Sequence, residues 1–313
     1  MKIGLDVMGG DFAPKVTIAG AILALKEIVA SDRIVLIGDK KIILNSLEEN
    51  KINTNNFDIV HASEKIDMGE HPLKAYTKKK DSSITVGFRM LKKNKISSFS
   101  SAGNSGAMIV GSIYSTNVIP GIIRPCTSAI LPKENGGITI LLDVGTNPDP
   151  KPDVMYQFAI LGSIYAQHVH DIENPKVGLL NIGEEEEKGN LLSQTAFQLM
   201  KGSKVFNFVG NIEGRDFLKD KADVIVCDGF AGNVVLKQIE SLYKFMKKRG
   251  ITDNYINRFN YENYGGTPIL GINSSVVVGH GISSALAIKN MLLLSKEIHE
   301  ARLSQKIQKV LRK

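Results

Sequence analysis

The sequence predicts an α/β fold built on a doubly wound, mostly parallel sheet, and two patterns indicate it. Short runs rich in β-branched residues alternate with longer segments whose apolar residues recur at helical spacing. This alternation is typical of parallel strands that are covered by helices. In addition, Gly, Asp and Asn collect directly after the strand-like runs, which is where ligands bind in this fold class.

The predicted elements follow one another along the chain. The strands are expected at 3–7, 34–38, 57–61, 97–100, 138–143, 177–182, 205–208 and 223–227. Helical spacing covers 14–29, 40–50, 83–94, 105–117, 153–170 and 191–201. Three of these helices also carry start signals, because Pro14 suits a first turn, Asp39 is a good N-cap, and either Ser82 or Ser83 can cap the third.

The composition predicts a soluble cytoplasmic protein. Of the 313 residues, 43% are hydrophobic, and no window approaches the roughly 20 continuous apolar residues of a membrane span. Cys126 and Cys227 stand far apart, which fits a reducing compartment. Because no flexible linker interrupts the chain, we expect a single α/β domain over residues 1–313, with a helical excursion near 240–263.

The formal charge of +7 favours acidic partners. Lys79, Lys92 and Lys93 belong to a basic cluster over 74–95, which is either a docking face for an acidic protein or an ordinary solvated helix face. The absence of Trp and of an aromatic RNA-binding motif argues against nucleic acid. The six histidines have no metal-ligand spacing, so neither a metal nor another cofactor is expected.

Five strand-end turns are richer in Gly, Asp and Asn than chain connection requires: 6–11, 101–106, 143–147, 181–184 and 227–233. The turn at 101–106 reads SAGNSG between a strand and a helix, and so presents free N–H groups at the positive end of a helix. We interpret it as a phosphate site formed by Ser101, Gly103, Asn104, Ser105 and Gly106. The alternative is a tight connection with a capping residue.

The other turns offer weaker candidates. Asp228 is either a catalytic carboxylate or a helix cap. Lys188 follows four glutamates and precedes a glycine, so its ammonium either reaches a bound phosphate or pairs with those glutamates. His280 lies between two glycines, but a dinucleotide-binding motif would need a glycine or alanine at the third place, where this chain has Ser284, so we interpret the segment as a helix-entry turn.

Eight segments in order resemble one family, the bacterial phosphate acyltransferases. They are LDVMGGD at 5–11, KKDSS at 79–83, SAGNSGA at 101–107, LDVG at 142–145, GLLNIGEE at 178–185, GNIEGRD at 210–216, VCDGF at 226–230 and YGGTP at 264–268. The resemblance implies transfer of a fatty acyl group from acyl carrier protein to inorganic phosphate, whose product a membrane acyltransferase uses in phospholipid synthesis. It also implies a homodimer with a three-layer α/β/α fold similar to isocitrate and isopropylmalate dehydrogenases and to phosphotransacetylase.

The chain departs from the family pattern in two places. The segment between Lys237 and Tyr264 is shorter than the helical, partly apolar excursion that the family carries there, which weakens the expectation of peripheral membrane contact. Apolar residues from Leu242 to Phe259 leave three roles open: a membrane-touching element, a dimer-packing element, or packing in the core, which is the commonest role of such residues. The second departure is the run from Pro148 to Pro150, which follows a turn that keeps its Asp, Gly and Asn.

The chemistry of the implied reaction guides the candidate roles. Phosphate is already an anion and a thiolate leaves readily, so positioning and charge stabilisation matter more than strong acids or bases. We expect Lys188 near the phosphate and Asn233 or Asn211 at the oxyanion. Further cleft candidates are Asp6, Gly9, Gly10, Asp143, Asn147, Arg215 and His280, and carrier docking is expected at Lys79, Lys92 and Lys93.

Three other interpretations stay open. The chain could be a phosphotransacetylase-like acyltransferase that uses coenzyme A, or a non-catalytic module that binds acyl groups or carrier protein. A dehydrogenase is less favoured, because there is no convincing dinucleotide turn and no cluster of metal-binding aspartates.

Overall fold

The computed structural model describes residues 1–312. The strands are β1 Lys2–Asp6, β2 Arg33–Gly38, β3 Phe57–His61, β4 Ser98–Ser101, β5 Cys126–Pro132, β6 Ile138–Leu142, β7 Lys176–Leu180, β8 Asn207–Ile212, β9 Val224–Val226, β10 Thr267–Leu270 and β11 Ser275–Val278. The helices are α1 Lys15–Ala24, α2 Lys40–Glu49, α3 Pro72–Lys78, α4 Ser83–Lys92, α5 Ser105–Thr116, α6 Pro152–Val169, α7 Leu191–Met200, α8 Gly229–Lys248, α9 Ala285–Glu300 and α10 Leu303–Leu311.

The chain divides into two compact units. Unit 1 comprises residues 1–118 and 261–302, and unit 2 comprises residues 119–260 and the chain from Leu303 onward. In both units nearly all neighbouring strands run parallel, so the predicted α/β class with a mostly parallel sheet is confirmed. The expectation of one domain over the whole chain stays a prediction.

In unit 1 the strand order is β3-β2-β1-β4-β11-β10, and only the β10–β11 pair is antiparallel. Its core holds Phe88 and Phe99, whose rings meet edge to face with centroids 5.1 Å apart. Gly87 lies so close to the Phe99 ring that a β-carbon would overlap it. This close approach lets α4 pack directly on β4.

In unit 2 the strand order is β5-β6-β9-β7-β8, and only the β5–β6 hairpin is antiparallel. The long helix α6 lies against this sheet through Gly162, which faces Leu142 of β6 and Val224 of β9. At the hairpin the buried Lys133 ammonium lies 2.5 Å from an Asp223 oxygen. An unpaired buried ammonium would be costly, so this ion pair fixes Lys133 in the folded chain.

Strand register places the predicted turns at common edges. Asp6 ends β1, Ser101 ends the adjacent β4, and Val278 ends the next strand, β11. In unit 2 the parallel strands β6, β9, β7 and β8 likewise end at one edge. The turns that follow these strands are therefore neighbours within each unit, as the fold class predicts.

Three strands went unpredicted, namely β5, β10 and β11. The first contains Cys, Ser and Pro among its seven residues, and β10 contains Pro268, so neither shows a clean strand pattern. The helix α8 extends to Lys248 and a 3-10 turn follows at Ile256–Phe259. Within the part of the chain that is described, no helix is both long and apolar enough to cross a membrane.

Candidate functional site

The centre of the unit 1 cluster is the buried carboxylate of Asp6 at the end of β1. The Ser101 hydroxyl donates to Asp6 Oδ2 at 2.6 Å, and its oxygen accepts the Gly103 N–H at 2.9 Å. Burial raises the pKa of the Asp6 carboxyl, while hydrogen bonds from Ser101, Ser83 and two backbone N–H groups act to lower it. Asp6 and Ser101 therefore hold the turn at 101–106 in shape.

Gly9 and Gly10 follow Asp6 in a turn packed tightly against its neighbours. A β-carbon on Gly9 would overlap an Asp6 carboxylate oxygen and lie 2.7 Å from Gly103 N, and Gly10 has a φ of +108°. The next residue donates its N–H to the Gly281 carbonyl at 2.8 Å, which joins this turn to the one after β11. His280 in that turn packs against Tyr261, with ring centroids 4.7 Å apart.

The Asn104 side chain is engaged on both sides. Its Oδ1 caps α5 by accepting the Ala107 N–H at 2.9 Å. Its Nδ2 donates to the carbonyl oxygens of Asp67, Met68 and Glu70 at 3.0–3.1 Å. Asn104 is thus bound within the chain, so free donors for an anion must come from elsewhere in the turn.

Those donors are backbone N–H groups. Among residues 1–312, no acceptor engages the N–H groups of Ser105 and Gly106 in the first turn of α5. The Ser105 side chain is exposed. Packing explains why residue 106 is a glycine, because a β-carbon there would overlap the ring of Pro72. The first turn of α5 therefore offers two N–H donors and one hydroxyl to a ligand.

Apolar side chains stand close to these turns. Phe12, next to the Gly9–Gly10 turn, is 55% exposed, and Ile282, next to Gly281, is 45% exposed. Met68 lies over Gly281 and is also exposed. A turn with free N–H donors beside exposed apolar groups suits a ligand with both an anionic and an alkyl part.

In unit 2 a second buried carboxylate, Asp143, organises the turn after β6. Oδ1 accepts the N–H and hydroxyl of Thr127 at 3.1 and 3.0 Å and the Thr146 N–H at 3.3 Å. Oδ2 accepts the N–H and the side-chain amide of Asn147 at 2.5 and 2.9 Å. Thr127 was missed at the sequence level, because it lies on the unpredicted strand β5.

The turn after β9 joins this cluster. Gly229 N donates to the Asn147 carbonyl at 2.8 Å, and Asn233 Nδ2 donates to the Val144 carbonyl at 3.1 Å. The Asp228 carboxylate caps α8 by accepting the Ala231 N–H at 2.8 Å. Asp228 is therefore a helix cap, which is one of the two roles that its position in the sequence left open. Asn233 lies in the same first turns of α8 and is exposed.

Lys188, Asn211 and Arg215 belong to a third group, at the ends of β7 and β8. Asn181 Nδ2 donates to the Lys188 carbonyl at 3.1 Å, and Asn211 Nδ2 donates to the Glu185 carbonyl at 2.8 Å. These two bonds hold the glutamate-rich loop closed. The Lys188 side chain itself is exposed, and Arg215 pairs with Glu213.

The same group contains carboxylates that could hold a metal ion. Ligand oxygens of Glu184, Glu213 and Asp216 lie within 4.8 Å of one another. Lys221 already bonds Glu184 and Asp216, and these hydrogen bonds raise the pKa of Lys221. The Lys221 ammonium thus already neutralises two of the three carboxylates. The expectation of no metal stays a prediction.

Of the predicted docking residues, Lys92 and Lys93 are exposed at the end of α4. Lys79 differs, because its ammonium pairs with Glu70 and donates to the Lys65 carbonyl at 2.8 Å. The basic cluster is therefore not a uniform surface of free lysines.

Comparison with known proteins agrees with the segments quoted above. Residues 1–306 match a family described as "Fatty acid synthesis protein". The chain is 43% identical to a phosphate acyltransferase of Thermoanaerobacterium thermosaccharolyticum over 328 residues, covering 99% of this chain and 96% of the relative. It is 40% identical to the phosphate acyltransferase of Dictyoglomus turgidum, covering 98% and 96%.

The chain belongs to the phosphate acyltransferase family. The resemblance drawn from the eight segments is therefore confirmed.

Solved structures of the same fold have much lower sequence identity. A phosphotransacetylase from Streptococcus pyogenes superposes with a TM-score of 0.67 at 17% identity, covering 95% of this chain and 94% of that one. The EutD phosphotransacetylase from Staphylococcus aureus gives 0.64 at 16% identity, covering 96% and 94%. A 4-hydroxythreonine-4-phosphate dehydrogenase from Burkholderia phymatum gives 0.50 at 15%, covering 96% and 98%. The expected likeness to phosphotransacetylase and dehydrogenase folds is confirmed.

The predicted site residues of this family member fall into three groups. In unit 1 the structure brings together Asp6, Gly9, Gly10, Ser101, Gly103, Asn104, Ser105, Gly106 and His280. In unit 2, Asp143 and Asn147 meet Asp228 and Asn233, whereas Lys188, Asn211 and Arg215 lie at the ends of β7 and β8. The sequence patterns thus predicted where the turns lie. They did not predict which side chains form the hydrogen bonds that hold those turns in shape.

Proposed function

We propose that the chain transfers a fatty acyl group from acyl carrier protein to inorganic phosphate, producing acyl phosphate for phospholipid synthesis. The observation that carries this proposal is about 40% identity, over nearly the whole chain, to proteins named phosphate acyltransferase. A phosphate oxygen attacks the thioester carbonyl, a C–O bond forms, and the C–S bond breaks to release the carrier thiolate. A thiol has a pKa of about 8.5, so its thiolate leaves without a strong general acid.

The phosphate is assigned to the first turn of α5. The free N–H groups of Ser105 and Gly106 support this assignment, as does the exposed Ser105 hydroxyl. The positive end of the helix favours an anion. Ser101 and Asn104 act indirectly in this proposal, by keeping the turn in the conformation that exposes these donors.

The developing oxyanion is assigned to Asn233 rather than Asn211. Asn233 is exposed at the start of α8, where helix N–H groups add positive potential, and its amide has a second N–H besides the one that donates to the Val144 carbonyl. Asn211 is buried and its amide nitrogen is bound to the Glu185 carbonyl. Lys188 remains a candidate for phosphate charge neutralisation, because its ammonium is exposed.

The activity is tested with the purified full chain, labelled inorganic phosphate and either an acyl carrier protein thioester or the matching coenzyme A thioester. We expect labelled acyl phosphate, trapped as its hydroxamate, to form faster from the carrier-protein donor. Faster turnover of the coenzyme A donor would favour the phosphotransacetylase-like alternative. Acyl carrier protein binding with no product from either donor would favour the non-catalytic module.

Ser105→Ala tests the phosphate assignment. Loss of one hydroxyl that bonds an anion should raise the KM for phosphate about tenfold and leave the KM for the acyl donor near its original value. Steady-state rates at varied phosphate measure both constants. Ser31→Ala is the matched control, since Ser31 is also exposed in unit 1. An unchanged phosphate KM in Ser105→Ala would contradict the assignment.

Carrier docking is assigned to Lys92 and Lys93, whose exposed ammonium groups suit an acidic partner. The double reversal Lys92→Glu and Lys93→Glu should raise the KM for acyl carrier protein about tenfold at low salt, and added salt should shrink the difference. The exposed adjacent pair Lys40 and Lys41 on α2 provides the control when reversed in the same way. Equal effects from the two pairs would show a general charge effect and not a docking face.

The chain is further proposed to form a homodimer through α8. Four exposed apolar side chains recur along this helix at helical spacing: Phe230, Val234, Leu242 and Phe245. Sedimentation equilibrium should give a dimer for the unaltered chain and a monomer for Phe245→Glu, because a buried charge would break the interface. A monomeric unaltered chain that co-sediments with anionic lipid vesicles would instead assign this face to peripheral membrane contact.

A further inference from the structure

The loop Asp67–Glu70, which no sequence pattern marked, is tied to the N-terminus of α5 by Asn104. The Asn104 amide donates to three carbonyls of the loop, at 3.1 Å to Asp67, 3.1 Å to Met68 and 3.0 Å to Glu70. With its nitrogen held in this way, the amide oxygen points to the Ala107 N–H, which it caps at 2.9 Å. By holding the amide nitrogen, the loop orients the Asn104 oxygen toward the Ala107 N–H and away from the other N–H groups of α5.

Lys79 holds the same loop from the other side. Its ammonium pairs with the Glu70 carboxylate and donates to the Lys65 carbonyl at 2.8 Å. Glu70 Oε1 also accepts the Asp67 N–H at 2.8 Å, which closes the loop on itself. The hydrogen bond from Lys79 lowers the pKa of Glu70, which favours the charged form of this carboxylate.

We propose that Lys79 is a positioning residue for the phosphate site, acting through Glu70, the Asp67–Glu70 loop and Asn104. The inference rests on the proposed phosphate site at the first turn of α5. A helix N-cap accepts from either the second or the third N–H of the helix. Once the loop loosens, Asn104 is free to turn toward the Gly106 N–H and compete with phosphate for it.

This role separates Lys79 from the docking lysines. Its side chain is 29% exposed and its ammonium is committed to internal partners. Lys78, the last residue of α3 and the one before Lys79, is exposed and forms no ion pair with any residue in the described chain. The two lysines are adjacent in the chain and carry the same charge, but among residues 1–312 it is the Lys79 ammonium that pairs with Glu70 of the loop.

The test compares Lys79→Met with Lys78→Met in the full chain, with phosphate varied at saturating acyl donor and the donor varied at saturating phosphate. Lys79→Met should raise the KM for phosphate about fivefold, because the free energy lost is that of one helix cap or one ion pair. The KM for the acyl donor should stay near its original value. Lys78→Met should leave the phosphate KM unchanged. Lys79→Arg, which keeps a cation near Glu70, should restore most of the affinity.

An unchanged phosphate KM in Lys79→Met, or an equal rise in Lys78→Met, would overturn the inference. If Lys79→Met fails to fold by circular dichroism, Glu70→Gln serves instead, because it keeps the side-chain volume and weakens the same ion pair. Phosphate affinity is measured in parallel by ³¹P line broadening. A chain that binds phosphate but makes no acyl phosphate would refute the proposed reaction, while the affinities of the variants would still decide the role of Lys79.

Discussion

A buried carboxylate at the end of a central strand organises the turns of each unit. Removing a carboxylate from water is expensive unless hydrogen-bond donors replace the lost hydration. Asp6 draws the Ser101 hydroxyl and the N–H groups of its own turn toward it, and Asp143 draws five donors from Thr127, Thr146 and Asn147. The requirement to satisfy these oxygens sets the shape of the surrounding loops, and those loops form the candidate site.

The glycines of the candidate site allow close contacts within the protein itself. Gly9 and Gly103 lie against Asp6 and Ser101, Gly106 lies against Pro72, and Gly232 lies against the Asp143 carbonyl. In each place a β-carbon would press on the neighbour. A glycine-rich turn therefore indicates a close approach of the backbone to something, and within this chain the partner is often another part of the protein.

The polar side chains divide in the same way. Asn104 and Asp228 are helix caps whose oxygens bond within their own first turns. Fewer groups stay free for chemistry, and in the described first turn of α5 they include the N–H groups of Ser105 and Gly106 and the Ser105 hydroxyl. A site built on backbone donors is rigid, because the helix itself holds them, and it suits an anion that needs placement more than activation.

The sequence by itself determined the α/β class, most of the strands, the strand-end turns and the family, because each depends on local spacing or on short runs of contiguous residues. It missed β5 and β10, whose Cys, Ser and Pro break the strand pattern, and it missed the four-residue strand β11; with β5 it missed Thr127. Only the tertiary structure decided which polar groups form hydrogen bonds or ion pairs within the protein and which stay free. Lys79 and Lys78 are adjacent and identical in sequence terms, yet one is bound to Glu70 and the other faces solvent. That difference arises from a loop folding back against a helix end, and no local pattern encodes such a contact.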